Sequence, residues 1–467
     1  MTSPSELSEA DRKFLENLRC KPKGTRFYNW ARTFTSRPEY FLAPESERDI
    51  IEIIQIAVRC GLSVKAIGSG HSPSDIACTD SIILVMDKLR RVIAYDSNAC
   101  TMTVETGIRL RDLHQVLGQR NMALSDLCCI SDQSIAGAIS TATHGSGVGF
   151  GDLSSMITYL VLIDGTGKRV ECDQQNNTDL FDAARCSLGA LGIITQVTIK
   201  CEPAFKLHAV QKPITLDEVI NDIDGFVRSA EHVRIWWFPY TEHAVAWRAN
   251  RTSMEKKWPK ESFVRDRLYG FHIYQLQLYK ARFMPNDLPG MARKHFKRRC
   301  MQEKEWVDDS YRVFSYDCPL KQYVNEWAIP LDQAPSALKQ LREWFNAEER
   351  KSDGVRVHFP VEVRFAQESN TWLSPTYRRT VCYFGITMFR PYQKSVPYKE
   401  YWQAFEDIMR THQGRPHWAK YHGMFYHDLQ RAYPRFDDFG RIRETCDPHG
   451  IFVNDYIRNR ILPPSKP

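Results

Sequence analysis

A short glycine-containing segment, residues 66–75, constrains this chain more than any other part of its sequence. The apolar residues that end at Ile67 have β character, and the small residues 68–70 follow them directly, so the segment predicts a strand that ends in a tight turn. Glycines allow such a bend and bring backbone N–H groups close to an anion such as a pyrophosphate. His71 lies at the tip of the turn, where its imidazole can bond covalently to a ring brought in by that anion. A solvated histidine in an ordinary turn is the alternative for this segment alone.

The composition indicates an ordinary globular protein, because 43% of the 467 residues are hydrophobic and 25% are charged. This length predicts about two or three domains. No run of about 18 apolar residues is present, and residues 1–23 lack an apolar signal core, so we expect no transmembrane segment. The thirteen cysteines lack metal-binding spacing, so we expect no metal site. Their odd number favours a reducing compartment, the cytoplasm, with a mitochondrial or other membrane surface as the alternative.

The net charge of +7 is mild, and its densest source is the basic run at residues 293–299. Such a run is typical of a solvated helix face, although phosphate or an acidic membrane surface could also contact it. We expect no nucleic-acid partner, and peripheral contact with a membrane is left open.

The first two hundred residues alternate between strand and helix patterns. Ser46 and Asp49 predict a capping box that opens a helix extending to Arg59. The other predicted elements are strands at 64–67, 82–86, 92–95, 102–105, 159–163, 169–171 and 193–200, and helices at 109–119 and 179–186. The glycine turn lacks the third glycine and the acidic partner of a nicotinamide-binding fold. A nicotinamide enzyme is therefore disfavoured.

The second half of the chain, after Pro203, has a different pattern. It predicts strands at 233–238, 244–248, 361–365 and 381–389, and helices at 216–230, 335–345 and 398–411. Long strands without regular βαβ alternation favour an antiparallel sheet with helices on one side. Residues 251–310 give no clear assignment.

Three further clusters carry candidate chemistry. Residues 131–151 are rich in small and hydroxyl side chains, which suits a groove for a long phosphorylated cofactor. Glu362 and Arg364 are two positions apart on a predicted strand and therefore share a face. They can form a neutralising pair or bind a polyhydroxylated substrate. The third cluster is residues 414–420, a predicted loop that ends at Lys420. This lysine is a candidate for charge stabilisation.

These clusters, in this order, resemble the sugar-1,4-lactone oxidases of the vanillyl-alcohol-oxidase group of flavoproteins. That family includes gulonolactone oxidase, arabinonolactone oxidase and plant galactonolactone dehydrogenase. The matching motifs are Gly-Ser-Gly-His-Ser-Pro-Ser-Asp-Ile-Ala-Cys-Thr-Asp at 68–80, Ser-Asp-Gln-Ser-Ile-Ala-Gly at 131–137, Thr-His-Gly at 143–145, Gly-Ile-Ile-Thr at 192–195, Glu-Val-Arg-Phe at 362–365 and Arg-Pro-His-Trp-Ala-Lys at 415–420.

The resemblance implies an α+β fold with a two-subdomain FAD-binding domain and a cap-like substrate domain with an antiparallel sheet and helices. The implied division is an N-terminal extension at 1–28, the FAD-binding domain at 29–203 and the substrate domain at 204–467, whose C-terminal part returns to the flavin. The implied cofactor is FAD, joined covalently to His71. The other implied cofactor-binding residues are Gly68, Ser69, Gly70, Ser72, Ser131, Ser134, Gly137, Ala138, Thr141, His144, Gly145, Ile194 and Lys420. The implied catalytic residues are Glu362, Arg364, Lys420 and His417.

The implied reaction is oxidation of an aldono-1,4-lactone to ascorbate or an analogue by hydride transfer to flavin N5, with oxygen or another acceptor reoxidising the flavin. An alditol or carbohydrate oxidase of the same flavin fold is the alternative. Glu362 and His417 are both left open as the proton acceptor. One departure concerns Cys128, because oxidases of the family tend to have Gly at this position and the plant dehydrogenase has Ala. If this thiol faces the flavin, we expect slow reoxidation by oxygen.

Overall fold

The computed structural model describes residues 6–258, 271–315, 320–358 and 360–464. Its strands are β1 Phe27–Tyr28, β2 Thr35–Ser36, β3 Tyr40–Leu42, β4 Val64–Ile67, β5 Ile82–Val85, β6 Val92–Asp96, β7 Thr101–Glu105, β8 Met122–Ala123, β9 Ile157–Ile163, β10 Arg169–Asp173, β11 Ile193–Lys200, β12 Glu202–Pro203, β13 Lys206–Thr215, β14 His232–Trp237, β15 His243–Thr252, β16 Lys304–Asp309, β17 Gln322–Pro330, β18 Val361–Ala366, β19 Val381–Phe389 and β20 Arg415–Pro416.

The helices of the described residues follow in the same chain order. They are α1 Glu9–Asn17, α2 Glu47–Cys60, α3 Leu110–Gly118, α4 Ile135–Ser140, α5 Thr178–Ala184, α6 Leu216–Asn221, α7 Ile223–Val227, α8 Tyr274–Ala281, α9 Leu288–Arg299, α10 Ser310–Phe314, α11 Ala334–Arg350, α12 Lys399–Thr411, α13 Tyr426–Ala432, α14 Phe436–Cys446 and α15 Asp455–Arg460.

A small parallel sheet, in the order β3-β5-β4, forms the first layer. Helix α2 packs on it through an isoleucine-rich face. The predicted capping box that opens α2 is confirmed, because Ser46 Oγ accepts from the Asp49 N–H and Asp49 Oδ2 accepts from the Ser46 N–H. Strands β4 and β5 are parallel, so their carboxyl ends meet at one edge. The turn at 68–72 leaves the sheet at that edge.

A five-stranded antiparallel sheet, in the order β10-β9-β11-β7-β6, forms the second layer of the N-terminal half. Strands β9 and β10 form an antiparallel hairpin around residues 164–167. Helices α3 and α4 contribute to the core beside this sheet. The two layers confirm the predicted α+β fold with two subdomains.

An eight-stranded antiparallel sheet, in the order β16-β13-β15-β14-β18-β19-β17-β20, dominates the C-terminal half. Apolar residues at alternate positions, such as Val363, Phe384 and Trp327, share one core with Leu341 of α11 and Phe405 of α12. The intervening positions face the opposite way. The predicted antiparallel sheet with helices on one side is therefore confirmed.

The structure corrects the predicted helix at 216–230. Two short helices, α6 and α7, meet at Asp222, whose backbone leaves the helical region with φ −145° and ψ 69°. Its carboxylate accepts the Gly225 N–H at 2.9 Å and begins the second helix, because Asp competes for backbone groups at helix starts. In the unassigned segment 251–310, the described residues contain α8, α9 and β16, while residues 259–270 lie outside them.

The end of the chain packs back onto the N-terminal half. Asn454 Nδ2 donates to the carbonyls of Ile76 and Cys78, at 3.0 and 2.9 Å. The Gly165 N–H donates to the carbonyl of Cys446 at 2.7 Å. The division into an extension, a cofactor domain and a substrate domain stays a prediction. Across the described residues, no helix has the length and apolar character that a bilayer crossing requires.

Candidate active site

A large cavity lies between the N-terminal layers and the cavity-facing side of the eight-stranded sheet. The space free of protein atoms there is about 1770 Å³, a volume that includes open solvent at the mouth. One wall comes from the turn after β4, helix α4 and the start of β11, and we call it the cofactor wall. The facing surface comes from β17, β18, β19 and the loop that ends at Lys420, and we call it the catalytic floor.

The turn in the cofactor wall is pressed against α4. A Cβ at Gly68 would collide with the Oγ and Cβ atoms of Ser134. Gly70 has φ +66°, a left-handed conformation that glycine adopts without strain. Ser134 in turn begins α4, because its Oγ accepts the Gly137 N–H at 3.3 Å. Glycine at these positions therefore brings bare backbone to the cavity.

His71 is held on both sides at the edge of this wall. Its ring stacks on Trp30 with 5.4 Å between ring centres, and its Nε2 lies 3.5 Å from an Asp132 carboxylate oxygen. Burial lowers the pKa of His71, although Asp132 opposes the shift. A neutral imidazole whose Nε2–H faces Asp132 keeps a lone pair on Nδ1. Nδ1 is buried and has no hydrogen-bond partner among the described residues.

The catalytic floor is built from alternate residues of three neighbouring strands. Glu326 of β17 pairs with Gly385 of β19, and Gly385 pairs with Glu362 of β18, so the three form one row across the sheet. A Cβ at Gly385 would lie 3.6 Å from Glu326 Oε1 and 3.7 Å from Glu362 Cβ. The missing side chain therefore leaves a trough between two carboxylates, and all three residues line the cavity.

Glu362 and Arg364 form the first charged pair of the floor, on one face as their spacing predicts. Arg364 Nη2 donates to Glu362 Oε1 at 2.7 Å and to Cys129 Sγ at 3.4 Å. Arg364 is buried, so its charge is poorly screened by solvent and acts strongly on anything bound in the cavity.

Glu326 and Lys420 form the second charged pair, on the other side of Gly385. Lys420 Nζ lies 3.7 Å from Glu326 Oε2, and His144 Nε2 lies 3.4 Å from Oε1. Burial by itself would raise the pKa of Glu326, but Lys420, His144 and His417 together hold it well below its usual value. Glu326 is therefore a buried carboxylate that stays ionised.

The two histidines of the floor have defined partners. The Ala419 N–H donates to His417 Nδ1 at 3.2 Å, so the proton of the neutral ring is on Nε2. Burial lowers the pKa of His417 to about 3, although Glu326 opposes the shift. His144 stacks on Tyr383 with 3.5 Å between ring centres, and its Nδ1 lies 3.0 Å from the Gly145 carbonyl.

The spacing of this cluster also meets a simple requirement for a metal site. One ligand atom from each of His144, Glu326 and His417 lies within 4.8 Å of the other two. However, the ammonium of Lys420 already provides a positive partner for Glu326, and a nearby cation would be repelled by it. We therefore assign the cluster to Lys420 rather than to a metal ion.

Most of the predicted site residues line this one cavity. Those that do are Gly68, Ser69, Gly70, His71, Ser72, Ser134, Gly137, Thr141, His144, Ile194, Glu362, Arg364, His417 and Lys420. Three others do not reach it: Ser131 accepts the Arg111 N–H through its carbonyl, Ala138 packs in the core, and a Cβ at Gly145 would collide with the Asp126 carboxylate.

Sequence reasoning missed Glu326, Gly385 and Cys129, all of which line the cavity. Gly385 carried a usable signal, because a glycine inside a strongly apolar strand often marks a close approach by another group. Glu326 carried a weaker signal, a single acid among the aromatic, aliphatic and amide residues before Pro330. Strand β17 was not predicted, so nothing indicated which way Glu326 would face.

Comparison with known proteins agrees with the motifs and the geometry. The profile of an FAD binding domain matches residues 38–173, and that of D-arabinono-1,4-lactone oxidase matches residues 197–460. L-gulonolactone oxidase of Scyliorhinus torazame is 38% identical over 93% of this chain and 98% of its own length. L-gulono-1,4-lactone dehydrogenase of Mycobacterium tuberculosis is 34% identical over 93% of this chain and 99% of its own length.

Among solved structures, cholesterol oxidase of B. sterolicum superposes with a TM-score of 0.79 at 16% identity. The match covers 94% of this chain and 96% of that one, and it shows a shared fold alone. The resemblance inferred from the motifs is confirmed by the family profiles and the sequence relatives. The chain belongs to the D-arabinono-1,4-lactone oxidase family and carries an FAD-binding domain in its N-terminal half.

Proposed function

We propose that this protein oxidises an aldono-1,4-lactone of the gulono, galactono or arabinono type to ascorbate or an analogue. FAD, when bound, would supply the two-electron acceptor for a hydride from C2 of the lactone. The observation that carries this proposal is the catalytic floor, where two acid–base pairs flank the bare backbone of Gly385 and face the wall that contains His71. Such a trough suits a small, flat, polyhydroxylated ring.

The cofactor wall fits FAD in two respects. The turn at 68–72 brings backbone to the cavity where a Cβ at Gly68 could not be accommodated. His71 has a buried Nδ1 without a partner among the described residues, and a neutral ring nitrogen is a nucleophile. We therefore propose that Nδ1 of His71 would hold the flavin covalently, replacing one hydrogen of its 8α methyl group, with the two electrons released going to the flavin ring and from there to an electron acceptor. Ser134, Gly137, Thr141 and Ile194 would line the remainder of the cofactor.

Arg364 and Lys420 would provide fixed positive charge where negative charge develops during the reaction. Preorganised charges in a poorly hydrated cavity stabilise such charge without having to reorient. Glu362 would accept hydrogen bonds from the substrate hydroxyls, and its contact with Arg364 keeps that guanidinium in place. The floor thus binds the lactone and favours the charge distribution of the transition state.

Glu362 is the proton acceptor that we propose. His417 accepts a hydrogen bond at Nδ1 and carries its proton on Nε2, so it can donate to the substrate but cannot take the hydroxyl proton there. Burial also lowers the pKa of His417 to about 3, which makes it a weak base. The tautomer supports Glu362 over His417, a choice that the sequence leaves open.

Cys128 bears on the acceptor that reoxidises the flavin. The residue is buried and lines the cavity, and its thiol donates to the Ile130 carbonyl at 3.2 Å. Burial raises the pKa of this thiol to about 12, so it is a neutral group. We propose that its bulk slows access of oxygen, so that a dye or a cytochrome is a better acceptor.

A substrate panel tests the proposal. Purified protein is assayed with an artificial dye and a series of aldonolactones, open-chain alditols and oligosaccharides, and the product is identified by mass spectrometry. We expect turnover with at least one aldonolactone and loss of two hydrogens from it. Turnover with alditols or oligosaccharides alone would instead support the alternative oxidase of the same fold.

A further inference from the structure

Glu326 is a buried carboxylate on which three parts of the chain converge. It comes from β17, and it contacts the ammonium of Lys420 from the loop after β20 and the imidazole of His144 from the N-terminal half. Its side chain is 8% exposed. Ionised carboxylates are rarely buried unless they are paired, so this arrangement calls for a role beyond packing.

Lys420 depends on this contact for its position. Glu326 is the only carboxylate within 4 Å of Lys420 Nζ among the described residues. A lysine side chain has four flexible methylene groups, and ordering it costs rotamer entropy. Without an anchor, the ammonium of a partly exposed lysine would turn toward solvent rather than stay over the floor.

His144 provides the second contact and holds Glu326 from the other side. Its Nδ1 lies 3.0 Å from the Gly145 carbonyl, and its Nε2 lies 3.4 Å from Glu326 Oε1. The stack on Tyr383 fixes the ring, so Glu326 cannot follow Lys420 outward.

We propose that Glu326 is a positioning residue, which holds the ammonium of Lys420 over the catalytic floor, while His144 lies against its other carboxylate oxygen. This inference rests on the proposed lactone oxidation. Glu326 makes no contribution of its own to the substrate in this account, and its effect on the reaction passes through Lys420.

A double-mutant cycle tests this dependence. Glu326→Gln, Lys420→Met and the double variant are assayed with a lactone and a dye. We expect Glu326→Gln to lower kcat about tenfold in the wild-type background and less than twofold when Lys420 is already Met, because coupled residues are non-additive. Equal factors in both backgrounds would contradict the proposal.

The midpoint potential of the flavin provides a second readout, which a purely structural role would not move in this way. Lys420→Met removes a positive charge and is expected to lower the potential. Glu326→Gln removes a negative charge, so the potential would rise if Lys420 stayed in place. We expect it to fall instead, as in Lys420→Met, because the ammonium moves away. A rise overturns the proposal.

Glu406 offers a matched control on the opposite side of β17. It is also buried, and it accepts from Asn325 Nδ2 at 2.8 Å and from the Gly423 N–H at 3.0 Å, but it does not line the cavity. Glu406→Gln should lower the melting temperature and leave kcat and the potential unchanged. If kcat falls equally in this variant, loss of a buried charge explains Glu326→Gln and the proposal fails.

Two further measurements separate the remaining outcomes. Glu326→Asp keeps the charge with a shorter reach, and if Glu326→Gln does not fold, the cycle is repeated with this variant and the same criterion. A stoichiometric metal ion in the wild-type protein that is lost in Glu326→Gln would overturn the proposal in favour of metal binding. Bleaching of the wild-type flavin by lactone, whatever the cycle gives, shows separately whether the proposed function holds.

Discussion

The cofactor wall and the catalytic floor enclose one cavity but are built in different ways. The wall uses continuous stretches of chain, the turn at 68–72 and helix α4, and it presents mainly backbone and small side chains. The floor uses charged side chains from three strands and a distant loop. A surface that binds a cofactor through its backbone needs a close approach and few charged side chains. A surface that positions charge needs buried ion pairs, such as Glu326 with Lys420.

The two surfaces differ in the kind of substitution that each tolerates. The wall depends on the absence of side chains, so adding one atom there removes space that the cofactor needs. The floor depends on charges that hold each other in place, so removing one charge displaces another. Substitutions in the cofactor wall and in the catalytic floor are therefore expected to have different effects.

The largest effect is expected from His71→Ala. We expect wild-type protein to stay yellow after acid precipitation and the variant to bind flavin that acid extracts completely, because only Nδ1 of His71 would form the covalent bond. The absorbance of the washed precipitate and of the supernatant is the measurement. A colourless wild-type precipitate would contradict the proposed covalent bond.

The next effect concerns a fixed charge of the floor. Lys420→Met should lower kcat about a hundredfold, roughly 3 kcal/mol of barrier, while flavin content stays at the wild-type level. Steady-state kinetics with a dye and flavin absorbance check this. Loss of flavin together with activity would mean that Lys420 belongs to the wall rather than to the floor.

One methyl group compares the two regions directly. In Gly68→Ala the new Cβ meets Ser134 at collision distance, whereas in Gly385→Ala it lies 3.6 Å or more from its neighbours. We expect the first variant to lose flavin and melt at a lower temperature. The second should keep both and raise the KM for the lactone, because its methyl group enters the trough. Equal flavin loss in both variants would show that an added methyl group affects the wall and the floor alike, against this prediction.

A pH-dependent effect is expected at His417. The ordinary pKa of an unfolded histidine is near 6.5, and burial lowers the folded pKa to about 3. Between these values the unfolded chain binds a proton that the folded protein does not, so stability falls as pH decreases, by at most about 1.4 kcal/mol per pH unit. His417→Gln should show a shallower fall between pH 6.5 and 5.5 in urea denaturation. Parallel slopes would indicate a histidine that titrates normally when folded.

The smallest effect is expected from Cys128→Ala. Removing the thiol should speed peroxide formation several-fold with oxygen and leave the rate with dye unchanged, because only oxygen access is altered. A coupled peroxide assay beside the dye assay measures the two rates. If wild-type protein already forms peroxide as fast as it reduces dye, the thiol is not a barrier.

The sequence predicts the wall better than the floor, for a physical reason. The turn before His71 and the segment around Ser134 are local, and glycine and hydroxyl residues indicate their backbone geometry directly. The elements α2 and β11 also follow from local pattern, since each buries a periodic apolar face.

The floor depends on pairing between distant strands, which local pattern does not encode. Glu362 and Arg364 were found because both lie on one strand. Glu326 was missed because its orientation depends on the register of β17 against β19. Likewise, Ala138 and Gly145 lie in a cofactor-like segment, but Ala138 of α4 packs in the core and Gly145 lies against the Asp126 carboxylate.

Anaerobic titration of the purified protein with aldonolactones tests the central claim most directly, that the two surfaces bring a flavin and a sugar lactone together. We predict that the flavin absorbance bleaches in proportion to added lactone without any other reductant, and returns when an electron acceptor is added. A protein that contains flavin but keeps its full absorbance with every gulono-, galactono- and arabinono-lactone tried would contradict the account.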